Sequence, residues 1–149
     1  YLAEYGRDAL RAAVAATFTL PGVPMIYAGQ EREMTEYRGP MKWHHGDTGL
    51  TNVHRRLSET RSETPALESG DLERIDYHAE TEQAIAFARE SDDQRVVVAL
   101  HFGTGTTTVT LPDGIDTEDL VTDESIETTA SSDGIEVDVD DVVVLQART

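Results

Sequence analysis

The sequence predicts an α+β chain in which a helix–strand–loop–helix segment precedes an antiparallel β-sandwich. Three observations predict it. Apolar residues recur with a helical period up to residue 63 and with a period of two beyond residue 70. Pro65 and Gly70 punctuate the change. The charge shifts at the same place: residues 1–70 carry 8 Arg/Lys against 9 Asp/Glu, and residues 71–149 carry 4 against 20, so nearly all of the net charge of −17 lies in the second part.

Residues 2–20 read as a helix, because Leu10, Ala13, Val14, Thr17 and Phe18 fall on one stripe at i, i+3, i+4, i+7 and i+8. Pro21, Gly22 and Pro24 end it in a tight turn. Met25-Ile26-Tyr27-Ala28 is a short apolar run between turn-formers, the pattern of a strand buried on both faces. Gly29 closes the run, and Gln30 and Glu31 then set an amide and a carboxylate at the strand's C-terminal end, where parallel α/β architectures bind ligands. Residues 32–49, broken by Gly39, Pro40, Gly46 and Gly49, read as a loop. A second helix over 50–63 carries Leu50, Val53, Leu57 and Arg61 on one side, and Pro65 stops it. The boundary falls at 66–70, giving residues 1–67 and 68–149 as two domains.

Beyond it, strands are expected at 72–78, 84–89, 95–102, 106–111, 118–122, 135–139 and 142–146, separated by turn signals such as Pro112-Asp113-Gly114 and Asp133-Gly134. Val96, Val98 and Leu100 alternate with Val97, Ala99 and His101, so that strand is apolar on both faces and central. Val137 and Val139 alternate with Glu136, Asp138 and Asp140, so that one has a wet face.

Composition excludes several functions. So acidic a chain is repelled by nucleic acid and by anionic membranes, and no apolar run reaches the ~20 residues of a membrane helix. With no cysteine there are no disulfides or thiolate metal sites. The acid has two readings, a disordered tail or a folded domain from a salt-rich setting. Strands punctuate the acidic half, which favours the second. Molar salt shortens the Debye length to ~3 Å and screens the repulsion. His44-His45-Gly46-Asp47 invites a metal, but adjacent histidines point different ways, so no metal site or cofactor is expected.

The pattern Gly22-x-Pro24-x-Ile26-x-x-Gly29-Gln30-Glu31 resembles the eighth barrel strand of the α-amylase superfamily of glycoside hydrolases. Arg38-Gly39-Pro40-Met41-Lys42-Trp43 resembles the Arg-x-Pro-Met-x-Trp segment after that strand in α-glucosidase-like and neopullulanase-like members. Leu57…Arg61…Pro65-Ala66-Leu67 resembles the last barrel helix and its exit, with Thr60 where relatives carry a larger apolar residue. Ile85–Arg89, Val96–Phe102 and Asp119–Thr122 resemble strands of the all-β domain that follows, although relatives often carry Asn where His101 stands.

The resemblance implies a partial (β/α)₈-barrel remnant followed by the C-terminal sandwich of an α-glucan-active hydrolase. That family's nucleophile, general acid and transition-state-stabilising Asp lie on strands that would precede Tyr1. No catalytic residue is therefore assigned here, and the chain alone is expected to be inactive. Four residues are candidates for substrate binding: Gln30, Glu31, Arg38 and Trp43. An aromatic face stacks on a sugar ring and a guanidinium bonds hydroxyls. Equally, Trp43 fills a gap under the loop, Arg38 pairs with a local acid and Glu31 anchors the loop. The partner implied is an α-glucan or maltooligosaccharide, through the parent enzyme. Helix, strand and helix from a barrel cannot bury their apolar faces alone, so residues 1–64 are expected to pack on the sandwich, pair with another copy or stay disordered. A non-catalytic carbohydrate-binding or structural sandwich is the alternative.

Overall fold

The computed structural model describes residues 2–26 and 48–148. Among these lie the helices α1 (Leu2–Thr19), α2 (Thr48–Glu63) and α3 (Pro65–Ser69). The strands are β1 (Asp71–Glu73), β2 (His78–Ala79), β3 (Ala84–Glu90), β4 (Arg95–His101) and β5 (Thr107–Leu111), then β6 (Ile115–Asp119), β7 (Glu124–Ser125), β8 (Thr128–Ser131), β9 (Gly134–Val139) and β10 (Val142–Ala147). One sheet has the order β1-β3-β4-β10-β6-β7 and the other β2-β5-β9-β8, and every pairing is antiparallel.

The layers follow from the alternation along β4. Val96, Val98 and Leu100 point to the helical side, where they join Phe87 and Val144 against Val14, Phe18, Leu50, Leu57 and Leu67. Val97 and Ala99 point the other way, to Val109, Leu111, Val137 and Val139 of the second sheet. The result is three layers: helices, six-stranded sheet, four-stranded sheet. Both sides of β4 are sealed, as its two-faced apolar pattern predicts, and Val96, Val98, Ala99 and Leu100 are fully buried. Ala84, Ala86, Ala88 and Ala99 line the sheet-to-sheet interface, and their short side chains let the sheets approach closely. On β9, Val137 and Val139 are buried while Asp138 is exposed, as alternation requires.

The helices fit the same logic. The α1 stripe turns Val14 and Phe18 inward, with Leu10 packed beside them, and the helix breaks near its start, where Gly6 takes φ 86°. Leu50 and Leu57 carry α2 onto the same core. Residues 1–64 were expected to pack on the sandwich, pair or stay disordered; the described helices do the first.

A buried carboxylate ties α2 to the sheet. Asp119 ends β6 and is 3 % exposed. Its Oδ1 accepts hydrogen bonds from the N–H groups of Val144 at 3.0 Å and Val121 at 3.2 Å, and its Oδ2 accepts from the Thr122 hydroxyl at 3.0 Å. The turn so fixed offers its carbonyls to α2: Arg56 Nη1 donates to Val121 O at 2.8 Å, and Thr60 Oγ1 lies 3.2 Å from Leu120 O. Thr60, where a larger apolar residue was expected from the resemblance, donates its hydroxyl to Arg56 O at 2.8 Å on its own helix and meets the Leu120 carbonyl with the same group.

Several elements differ from expectation. The strand expected over 72–78 divides into β1 and β2, which belong to different sheets, so the chain crosses between layers at 74–77. Pairing of β6 begins at Ile115, not at 118, and ends at Asp119, after which 120–123 form a turn. The short, polar β7 and β8 were not expected. At the boundary stands α3, for which Pro65 provides the first helical position.

The strand expected over residues 25–28 lies only in part within the described residues. Residues 23–26 have no regular structure, Val23 is 94 % exposed and Met25 68 % exposed. The apolar run specifies a stretch that favours burial, and no described strand pairs with it. Tyr27 and Ala28 lie outside the described residues.

Candidate functional site

The turn after α1 is held by two arginines from other elements. An α-helix ends with carbonyls that lack intrahelical partners and carry the negative end of the helix dipole. From α2, Arg61 Nη1 donates to Phe18 O at 2.7 Å and Leu20 O at 3.3 Å, and its Nη2 donates to Gly22 O at 2.5 Å. From β3, Arg89 Nη1 donates to Thr19 O at 2.5 Å and its Nη2 to Gly70 O at 2.6 Å. Arg89 is 1 % exposed. Burial pulls both guanidinium pKa values down from the ordinary arginine value. For Arg61 the nearby Glu68 opposes the shift; for Arg89 the charge of Arg61 adds to it and Asp71 opposes it. Both stay charged, because arginine does not deprotonate in proteins. The pair thus spends two buried cations on fixing the direction in which residues 20–26 leave the helix.

Beside this clamp opens a cleft of about 580 Å³. Phe18, Pro24 and Ile26 form its apolar wall; His54, Arg55, Ser58, Arg61 and Ser62 of α2, with Glu68 of α3, form the polar side. His54 is 6 % exposed and meets the Phe18 ring edge-to-face, with centroids 6.2 Å apart. Its Nδ1 lies 2.9 Å from Leu50 O. A carbonyl only accepts, so Nδ1 carries a proton. Its Nε2 is buried without a hydrogen-bond partner among the described residues. Ile26 of the cleft wall stays exposed, as do Leu20, Val23 and Met25 of the same segment.

The four residues proposed from sequence, Gln30, Glu31, Arg38 and Trp43, lie outside the described residues, as does His44-His45-Gly46-Asp47. Among the described residues no group of three His, Asp or Glu is arranged to hold a metal ion, and no helix is long and apolar enough to cross a membrane. Sequence reading picked out Arg61 through its stripe and motif and Arg89 through its strand, but not their joint task. It passed over His54. The signal was present: position 54 lies four residues after Leu50 and seven before Arg61, on the side of α2 that turns inward.

No family model matches the chain. Over 151 aligned residues, covering 99 % of this chain, it is 40 % identical to the α-amylase MalA of Haloarcula japonica. The chain is homologous to the C-terminal part of an α-amylase. It spans 23 % of that relative's length. The fold agrees with solved α-amylases: that of Geobacillus thermoleovorans, crystallised with acarbose, superposes with a TM-score of 0.79 at 20 % identity, over 99 % of this chain and 35 % of its own. The maltogenic α-amylase AmyB of Thermotoga neapolitana gives 0.76 at 19 % identity, over 96 % and 37 %. The Anoxybacillus α-amylase gives 0.73 at 23 % identity, over 95 % and 33 %. The helices and two antiparallel sheets align to the C-terminal region of α-amylases.

Proposed function

We propose that this chain is the closing part of an α-glucan-active glycoside hydrolase of the retaining type. Residues 1–67 complete a (β/α)₈ barrel and residues 68–149 form the sandwich that backs it. The observation that carries the reading is the 40 % identity to an α-amylase along 99 % of the chain. The packing of α1 and α2 supports it: both are sealed on the sandwich, and Leu20, Val23, Met25 and Ile26 beyond α1 are left exposed.

On this reading Gln30, Glu31, Arg38 and Trp43 stand at the mouth of the barrel. Trp43 stacks on a glucose ring and Arg38 bonds its hydroxyls. The two carboxylates that a retaining mechanism needs, a nucleophile and an acid–base about 5 Å apart, come from polypeptide outside these 149 residues. The Arg61–Arg89 clamp contributes at a distance, by aiming the segment that leads to Gln30.

The test is a graft. This chain replaces the matching part of the Haloarcula japonica α-amylase, and starch hydrolysis is assayed in molar KCl. The graft is expected to hydrolyse starch and the chain alone to be inert. Trp43→Ala in the graft is expected to raise KM for maltooligosaccharides about tenfold, the loss of one aromatic contact. An inactive graft, or hydrolysis by the isolated chain, overturns the reading.

A further inference from the structure

We propose that Asp113 is a site of spontaneous covalent modification, where the Asp113–Gly114 step rearranges through a cyclic imide to an isoaspartyl linkage, and that the fold withholds the same reaction from Asp133–Gly134.

The sequence contains two Asp-Gly steps. Asp113–Gly114 lies between β5 and β6, and Asp133–Gly134 lies at the turn from β8 into β9. An aspartate followed by glycine is the step most open to this chemistry, because no side chain on the second residue hinders the approach of its nitrogen. The reaction needs the aspartic carboxyl, a following N–H that no hydrogen bond holds, and room for that nitrogen to meet Cγ.

The two steps differ in the last two requirements. Asp113 and Gly114 are both exposed, in a bend. The Gly114 N–H donates to none of the described residues, while its carbonyl accepts from the Arg148 N–H at 2.7 Å. A Cβ at Gly114 would have no described atom within 4 Å. Asp133–Gly134 is the reverse. Gly134 is buried and pairs with Ser131 across the β8–β9 hairpin. A Cβ there would collide with Leu111 O. The Asp133 N–H is itself tied, donating to Ser131 Oγ at 3.3 Å. Ring closure at Asp133 therefore requires the hairpin to open first, whereas at Asp113 it requires only local rotation.

The atoms balance without a co-reactant. The Gly114 nitrogen loses its proton to solvent and bonds to Cγ of the protonated Asp113 carboxyl. The Cγ–OH bond breaks, and the hydroxyl leaves as water with a proton from solvent. One water then opens the five-membered ring. Cleavage between the nitrogen and Cγ restores aspartate. Cleavage between the nitrogen and the former main-chain carbonyl carbon leaves the chain running through Cβ and Cγ, with a free α-carboxylate. One water leaves and one enters, so nothing is oxidised and the charge is unchanged.

The position gives the change a consequence. Residues 112–114 are the link between β5, in the four-stranded sheet, and β6, in the six-stranded one. Leu111 and Ile115 at its two ends are buried between the sheets. The isoaspartyl linkage lengthens this link by one backbone carbon and loosens the bond from the Arg148 N–H to Gly114 O.

The test is prolonged incubation of the chain, folded in molar KCl and unfolded in urea. Peptides are then mapped with a protease that cleaves before aspartate and not before isoaspartate. In the folded chain isoaspartate is expected at 113, in about tenfold or greater excess over 133, the effect of holding one N–H in a hydrogen bond. In urea the two steps are expected to react at comparable rates. Asp113→Glu keeps the charge but needs a six-membered ring, and is expected to abolish the product at 113 while leaving unfolding unchanged. The isomerised chain, separated by ion exchange, is expected to exchange the Arg148 amide about tenfold faster, with the β9 amides unchanged. Isoaspartate at 133 equal to that at 113 in the folded chain overturns the proposal, as does a product at 113 that forms only in urea or not at all. Unchanged Arg148 exchange in the isomerised chain overturns the structural consequence.

Discussion

Removing the Asp119 carboxylate tests the link between α2 and the sheet. Asp119→Ala takes the acceptor from three donors: the buried Val144 N–H, the half-buried Val121 N–H and the Thr122 hydroxyl. A buried N–H left unpaired costs about 1–3 kcal/mol. The Val121 amide is partly wet and costs about 1 kcal/mol, and the Thr122 hydroxyl, on an exposed residue, turns to solvent at little cost. The expected loss is therefore about 2–4 kcal/mol. Asp119→Asn keeps one oxygen for both amides, as a neutral acceptor of about half the strength, so its cost is about 1 kcal/mol. Both variants remove the same negative charge from a chain of net charge −17, and their difference isolates the hydrogen bonds from any relief of repulsion. The assay is urea unfolding in molar KCl, where the Debye length is ~3 Å. Equal losses for the two variants, or a loss under about 1 kcal/mol for Asp119→Ala, would refute the reasoning.

Three further outcomes are expected. The melting temperature rises between dilute buffer and molar KCl, because salt screens the carboxylates of residues 71–149; a flat profile in scanning calorimetry contradicts this. Burial, aided by Asp140 and Asp8 and opposed by the Val142 N–H and by Arg11, pushes the Asp141 carboxyl above its ordinary 3.8. A carboxyl raised in the folded state favours folding while protonated. Its contribution is present below 3.8 and is lost as pH rises through the folded value. Asp141→Asn should accordingly stabilise the chain at neutral pH and flatten stability against pH in that window, as followed by circular dichroism. Gly134 opens β9 at φ 140°, and a Cβ there would sit 1.9 Å from Leu111 O. Gly134→Ala should cost more than about 2 kcal/mol in chemical unfolding and loosen amide exchange at Leu111 and Ser131.

What was legible in the sequence is what hydrophobic period encodes. The double apolar alternation of β4 and the one-sided alternation of β9 gave their places in the sheets, and the Val14–Phe18 stripe gave the buried side of α1. Period says nothing where a strand is held by other means. Glu124-Ser125 and Thr128–Ser131 are polar and mostly exposed at sheet margins, so β7 and β8 carry no apolar signal. Asp119 ends β6 through its own side-chain bonds, which no alternation reports. The run at Met25 shows the opposite limit: an apolar run signals a preference for burial, yet Met25 and Ile26 are exposed. Arg61 and Arg89 were visible as residues and not as a pair, because the carbonyls that join them lie about 40 and 70 residues away in sequence. Gln30, Glu31, Arg38 and Trp43 rest on resemblance alone.

The six-stranded sheet is a wall common to two rooms. Val97 and Val98 are neighbours along β4, yet one belongs to the interface between the sheets and the other to the interface with the helices. Isotope-labelled methyl groups at these adjacent positions would report on the two rooms separately. As the protein matures, they would reveal whether the roof of helices is laid before or after the second wall goes up.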